Sequence, residues 1–162
     1  SSIAKGFAVD SVSRILLASG KNNFLIDIGG EVIISGSKHN QPWIIGIQDP
    51  TSVNNSSIVN IFGNDFLAVA TSGEYRNFKY NDDGEMTSHT FNPISKTSIP
   101  DKTYSVSVVS RVSSMEADAL ATALNVMGPV KGIEFANEKD LSVMYIMQGK
   151  NLIKSNKWNY ND

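Results

Sequence analysis

The 162-residue chain is long enough for one ordinary domain with a sizeable hydrophobic core, and two independent domains would be crowded in it. Its 41% hydrophobic and 19% charged residues exclude a disordered chain, and its net charge of -2 excludes the broad cationic surface that nucleic-acid binding requires. Because the chain has no cysteine, a disulfide framework and a thiolate zinc site are excluded as well.

We do not expect a membrane span or a signal peptide among the given residues. No apolar run approaches the ~20 residues needed to span a bilayer, and the segment from Ser1 to Gly6 does not resemble a signal peptide. The missing initiator Met points to processing, cleavage or a boundary within a longer protein.

The predicted elements begin with a helix. Apolar residues recur close to helical spacing from Ala4 to Leu17, and Ser19-Gly20 is a stop signal. Two β-rich runs then meet at the pair Gly29-Gly30, where the backbone can turn. Further strands are predicted at 43–47, 58–62, 66–71 and 104–110, with a hairpin turn at 81–84.

The clearest helix covers 115–127, with Ser113 or Ser114 as its cap and Gly128-Pro129 as its end. A short helix at 131–136 and a strand pair formed by 141–147 and 151–153 complete the pattern. Since we find no repeat or linker, we predict a single α+β domain over 1–162.

Asp118 and Thr122 are a candidate cation site. They are four residues apart on the predicted helix and therefore share one face, where two oxygen ligands can reach one point. Oxygen ligands beside substrate phosphates suit Mg²⁺. The alternative is a solvated Asp and a Thr whose hydroxyl bonds back to its own helix.

Two further groups can carry chemistry. The run 71–77 places hydroxyls, a glycine and Arg76 after a strand, a combination that can hold phosphate or flavin edges. Taken alone, the run is more typical of a polar turn with a surface Arg. His89 can act as a general base, since the reference pKa of histidine is about 6.5, or it can be structural. His39 lies in a polar run and is expected to be exposed. General motifs such as a Walker loop or a Rossmann fingerprint are absent from the sequence.

Taken in order, several segments together resemble one family. They are AKGFAVD from Ala4, IGGEV from Ile28 with Gly36, PWIIGIQDP from Pro42, ATSGEYRN from Ala70, SHTFNP from Ser88 and ADALATAL from Ala117. This combination resembles the ApbE family of FAD:protein FMN transferases, from the first residues to Gly128, with a looser match beyond. The resemblance implies an antiparallel sheet or barrel-like core with helices packed on one side, similar to a T-fold.

The resemblance also implies an activity. Such an enzyme cleaves the pyrophosphate of FAD, joins FMN to a Thr or Ser hydroxyl of a target flavoprotein and releases AMP, with Mg²⁺ neutralising the pyrophosphate. The residues that it implies are Asp118, Thr122 and the carbonyl of Ala4 as metal ligands, His89 as the base, Ser72, Gly73, Tyr75 and Arg76 around the flavin nucleotide, and Lys5 and Asp10 near its phosphates or adenosine.

Two departures from the family pattern stand out. Lys96 occupies a loop position where the family often has glycine, which places a side chain into that loop. The upstream half of the family, which supplies much of the FAD-binding surface, has no counterpart in these residues. Three hypotheses follow: the C-terminal part of a transferase, an FAD pyrophosphatase that yields FMN and AMP, or an inactive flavin-binding module. Family members are often exported, so the resemblance suggests the bacterial periplasm or cell envelope.

Overall fold

A computed structural model describes residues 3–52, 54, 56–73, 79–80, 86–87 and 103–160, the two short strands by their backbone only. The helices are α1 (Ala4–Ala18), α2 (Ser114–Met127) and α3 (Pro129–Glu138). The strands are β1 (Phe24–Ile28), β2 (Glu31–Ser35), β3 (Trp43–Gln48), β4 (Ser57–Gly63), β5 (Leu67–Gly73), β6 (Lys79–Tyr80), β7 (Met86–Thr87), β8 (Thr103–Ser110), β9 (Ser142–Met147) and β10 (Leu152–Lys154). Each of these three helices is too short or too polar to cross a bilayer.

The main sheet has six strands in the order β1-β2-β5-β8-β9-β10, and every neighbouring pair is antiparallel. Strands β3 and β4 form a separate hairpin, and β6 pairs with β7 on either side of the predicted turn at 81–84. The predicted antiparallel α+β architecture is thereby confirmed.

Strand alternation gives the main sheet two different faces, because successive side chains point to opposite sides. On β2, Val32 and Ile34 pack with the β3–β4 hairpin, whereas Ile33 packs under α1. On β9, Tyr145 faces α2 and α3. The sheet is therefore the middle layer, with the helices on one side and the hairpin on the other.

The turn between β1 and β2 depends on its glycines. Gly29 and Gly30 have backbone φ values of 63° and 97°, which residues other than glycine rarely adopt. The backbone N–H of Gly30 donates to Oδ1 of Asp27 at 2.9 Å and closes the turn. This turn brings the start of β2 beside the first residues of α1.

The third helix is longer than the predicted short helix at 131–136, since α3 begins at Pro129 directly after α2. Gly128, with φ of 74°, ends α2, and Pro129 occupies the first turn of α3, where its missing N–H is not needed. The buried hydroxyl of Tyr145 donates to the carbonyls of Leu124 and Gly128 at 2.7 and 3.2 Å, which satisfies the end of α2.

Asp49, at the end of β3, provides a pH-dependent contribution to stability. Lys150 at 2.7 Å, together with the N–H and hydroxyl of Thr51, lowers the pKa of Asp49 from 3.8 to about 2. A carboxylate whose pKa is lower in the folded state stabilises the fold above its unfolded pKa and loses this effect as pH falls.

We therefore expect the difference in melting temperature between wild type and Asp49→Asn to be largest above pH 4 and to close towards pH 2. The matched control is Asp65→Asn, because Asp65 is exposed and makes no ion pair with the described residues. A difference for Asp49→Asn that stays constant from pH 2 to 6 would contradict this assignment.

Candidate active site

A cavity of about 660 Å³ lies between the β3–β4 hairpin, the β1–β2 turn and the end of β5. Its lining includes Lys5, Gly29, Gly30, Gln48, Thr71 and Gly73. This volume is in the range of small-molecule sites. A second cavity, of about 540 Å³ near Tyr160, contains none of the predicted site residues, so we place the candidate site at the first.

Asp118 lies in the second turn of α2 and is 6% exposed. The backbone N–H of Gly6, in the first turn of α1, donates to its Oδ2 at 3.0 Å. Within the described part of the chain, this is the only hydrogen bond to the carboxylate, so Oδ1 remains available as a ligand atom.

Thr122 follows Asp118 by one helical turn and is half-buried. Threonine hydroxyls inside helices often bond back to the carbonyl four residues earlier. Among the residues that the structure describes, the Thr122 hydroxyl makes no such bond, nor any other. Both polar groups of this pair therefore keep free oxygen atoms on one face of α2.

These oxygens fit a hard cation. The described residues contain no group of three or more His, Cys, Asp or Glu side chains that could hold a metal by themselves. One carboxylate and one hydroxyl form a partial set of oxygen ligands, typical of Mg²⁺ sites that substrate phosphates and waters complete, and the ligand role of the Ala4 carbonyl stays a prediction.

Gly6 and Asp10 hold α1 against α2. A Cβ atom on Gly6 would lie 2.5 Å from the carbonyl oxygen of Ser114 and 2.7 Å from Cα of Met115, so only glycine permits this approach. The two carboxylate oxygens of Asp10 accept from the N–H groups of Ser114 and Met115 at 2.8 and 3.0 Å. Asp10 thus stabilises the N-terminus of α2, and its predicted contact with the nucleotide stays a prediction.

Glu31 is a site residue to which the sequence assigned no role. It is 2% exposed, and its Oε2 lies 2.5 Å from Nζ of Lys5. The contact is an ion pair by distance, although its angles fall outside hydrogen-bond geometry. Burial raises the pKa of Glu31, Lys5 opposes that shift, and the nearby charge of Asp118 adds to it. The signal in the sequence was a lone charged residue in the apolar run of β2.

The end of β5 forms part of the cavity. Thr71 and Gly73 line it, and strand alternation directs Ser72 to the opposite face of the sheet. A Cβ atom on Gly73 would lie 2.5 Å from the carbonyl oxygen of Tyr104, so a glycine is needed here. The hydroxyls of Thr71 and Ser107 are bonded at 2.7 Å.

The predicted base His89 and the predicted flavin contacts Tyr75 and Arg76 lie outside the described residues. Their roles stay predictions. Of the predicted site residues, the described part of the chain places Lys5 and Asp118 near Glu31 at the start of α1, with Thr122 one turn further along α2. Ala4 is the first residue of α1.

The sequence profile of the ApbE family matches residues 1–147. The chain belongs to the ApbE family. Relatives include the FAD:protein FMN transferase of Vibrio cholerae, 38% identical over 149 residues, and that of Haemophilus influenzae, 35% identical over 153 residues. These matches cover 91% and 93% of this chain but 44% and 43% of the relatives, so the chain spans less than half the length of these two proteins.

Solved structures of ApbE proteins share the fold. The ApbE protein of Thermotoga maritima superposes with a TM-score of 0.83 at 30% identity, and the flavinyl transferase ApbE of Pseudomonas stutzeri with 0.83 at 34%. Each match covers 97% of this chain, but only 50% of the Thermotoga maritima chain and 49% of the Pseudomonas stutzeri chain. The ApbE-like fold and the family resemblance are confirmed.

Proposed function

We propose that this chain is the cation-binding and nucleotide-binding part of an enzyme that transfers FMN from FAD to a Thr or Ser hydroxyl of an acceptor flavoprotein and releases AMP. The observation that carries the proposal is the pair of free oxygens on Asp118 and Thr122, beside the first turn of α1. The Asp118–Thr122 pair lies near the cavity. Lys5 lines the cavity and forms an ion pair with Glu31, and the charge of Asp118 is close enough to Glu31 to raise its pKa. The names of the relatives support the coarser part of this activity, the transfer of FMN from FAD to a protein.

The reaction moves one phosphoryl group. The acceptor hydroxyl oxygen bonds to the phosphorus of the FMN half of FAD, and the bond from that phosphorus to the bridging oxygen breaks. The bridging oxygen leaves with AMP, and the proton of the hydroxyl goes to a base, for which we propose His89. Asp118, Thr122 and the carbonyl of Ala4 would hold Mg²⁺, which supplies charge neutralisation at the pyrophosphate.

We also propose that a further polypeptide segment, corresponding to the unmatched part of the relatives, packs on α1. The helix buries Gly6, Val9 and Ser13 against the rest of the fold. Its outer face nevertheless presents Phe7, 55% exposed, and Ile15, 65% exposed. A helix with apolar residues on both faces is typical of a buried position. The unmatched half of the relatives is long enough to cover this face.

The proposed function predicts AMP release from FAD that requires both Mg²⁺ and an acceptor protein with a Thr flavinylation site. The measurement is chromatographic detection of AMP, with and without acceptor, in Mg²⁺ and after chelation by EDTA. The matched acceptor carries Ala in place of the Thr.

Each outcome assigns an activity. AMP that appears with the Thr acceptor and not with the Ala acceptor establishes the transferase, whereas AMP without any acceptor establishes a pyrophosphatase. FAD binding without AMP in any mixture assigns this chain a binding role and places turnover with the additional segment. AMP release that is unaffected by EDTA would contradict the cation site.

A further inference from the structure

The turn between β1 and β2 fixes the ammonium group of Lys5. Nζ donates to the carbonyl of Gly29 at 3.2 Å and pairs with Oε2 of Glu31 at 2.5 Å. The lysine stem passes over Gly29, because a Cβ atom built there would lie 3.3 Å from Cδ of Lys5. The side chain of Glu31 is 2% exposed, whereas that of Lys5 is 49% exposed. A buried anion therefore holds a cation that remains open to solvent.

We propose that Glu31 is a positioning residue: by holding the Lys5 ammonium in place, it strengthens the contact with the nucleotide phosphates that the family resemblance implies for Lys5. The inference rests on the proposed function, since that function supplies the phosphates. Lys5, Gly29 and Gly30 all line the cavity, so the held ammonium lies at its wall.

The donors of Lys5 are sufficient for this role. An ammonium group has three N–H donors and no acceptor. The carbonyl of Gly29 accepts from one of them, and Glu31 forms an ion pair with the ammonium, so at least one donor remains for an anionic ligand. A charge-assisted contact to phosphate is stronger than a neutral hydrogen bond.

Fixing the side chain in advance also favours binding. Lysine is among the side chains that lose the most rotamer entropy when immobilised. Because Glu31 and the carbonyl of Gly29 already restrict Lys5 in the free protein, a ligand need not bear this cost when it binds. The contribution of Glu31 is therefore geometric, and its charge alone would act in the opposite direction, by repelling phosphate.

Because the anchoring effect and the charge of Glu31 act in opposite directions on an anionic ligand, the test needs a variant that changes only one of them. Glu31→Gln removes both the anchor and a negative charge, and these two effects on an anionic ligand oppose each other. Glu31→Asp keeps the charge and withdraws the carboxylate by one methylene, so it breaks the 2.5 Å contact only. Lys5→Met and the double variant Lys5→Met/Glu31→Asp complete a cycle that isolates the coupling between the two side chains.

The experiment measures binding of ADP, FAD and riboflavin to the full chain by calorimetry. ADP and FAD carry a pyrophosphate, and riboflavin carries no phosphate. We expect Glu31→Asp to weaken ADP binding about five-fold or more and to change riboflavin affinity less than about two-fold. In the Lys5→Met background, Glu31→Asp should have no further effect on ADP.

Three results would overturn the inference while leaving the proposed function intact. They are wild-type ADP affinity in Glu31→Asp, an equal loss for ADP and riboflavin, and an undiminished loss in the Lys5→Met background. Urea unfolding of each variant identifies a loss that comes from the fold. If the wild-type chain binds none of the three ligands, the proposed function itself is contradicted and the inference falls with it.

Discussion

Asp118→Asn is expected to abolish Mg²⁺ binding by the chain and to lower Mg²⁺-dependent AMP release by a factor on the order of 100 or more. The amide keeps an oxygen that can accept the Gly6 N–H now bonded at 3.0 Å, so the contact between α1 and α2 is retained. The substitution therefore removes only the negative charge of the Asp118 side chain. Calorimetric titration with Mg²⁺ and the AMP assay measure the two effects separately.

The matched control is Glu116→Gln, which removes one negative charge from the same helix. Glu116 accepts from the Ser110 hydroxyl at 2.6 Å and is exposed. We expect this variant to bind Mg²⁺ as the wild type does. If Asp118→Asn retains wild-type Mg²⁺ affinity, the cation site lies elsewhere in the chain.

Gly6→Ala is expected to lower the free energy of unfolding by about 3 kcal/mol, because its Cβ would overlap backbone atoms that cannot move independently. The carbonyl oxygen of Ser114 would lie 2.5 Å away and the backbone nitrogen of Met115 2.8 Å away. Alanine gains about 1 kcal/mol in helix propensity over glycine, which is too little to offset the overlap. Urea denaturation followed by circular dichroism gives the measurement.

Ser11→Ala provides the comparison on the same helix. Ser11 is only partly buried, and its hydroxyl bonds back to the carbonyl of Phe7 at 2.8 Å. We expect a change within about 0.5 kcal/mol for this variant. A Gly6→Ala protein as stable as Ser11→Ala would show that α1 can move away from α2 without cost.

The elements with local signals were predictable from the sequence. Helix α2 combines an apolar period with a cap, and Ser113 does accept from the N–H of Glu116 at 3.0 Å. The β1–β2 hairpin was indicated by Gly29-Gly30 between two β-rich runs, and the strands pair there. The start of α3 was placed two residues late, because Gly128-Pro129 was taken only as an end signal, although proline also begins helices.

The contacts within the site were not predictable from local patterns. Asp10 bonds to the N–H of Ser114, 104 residues later, and nothing in the neighbouring sequence indicates that partner. The sequence shows Glu31 as a lone charge in the apolar run of β2, but its partner follows only once β2 is known to lie under α1, since alternation then directs Glu31 to the helical face together with Ile33. Helical spacing alone did not distinguish whether Asp118 and Thr122 are a pair of metal ligands or part of a solvated helix face. Their prediction as metal ligands came from the matched family segments.

The contact between Gly6 and Asp118 also constrains when the site can form. The two residues are 112 positions apart, and the bonds of Asp10 span 104 and 105 positions. Contacts of such high sequence separation require a large loop to close first, which slows folding. During synthesis, α1 emerges long before α2, and its first turn then lacks the partners that fix it. The proposed cation site is consequently assembled late, after α2, which would complete it, has left the ribosome.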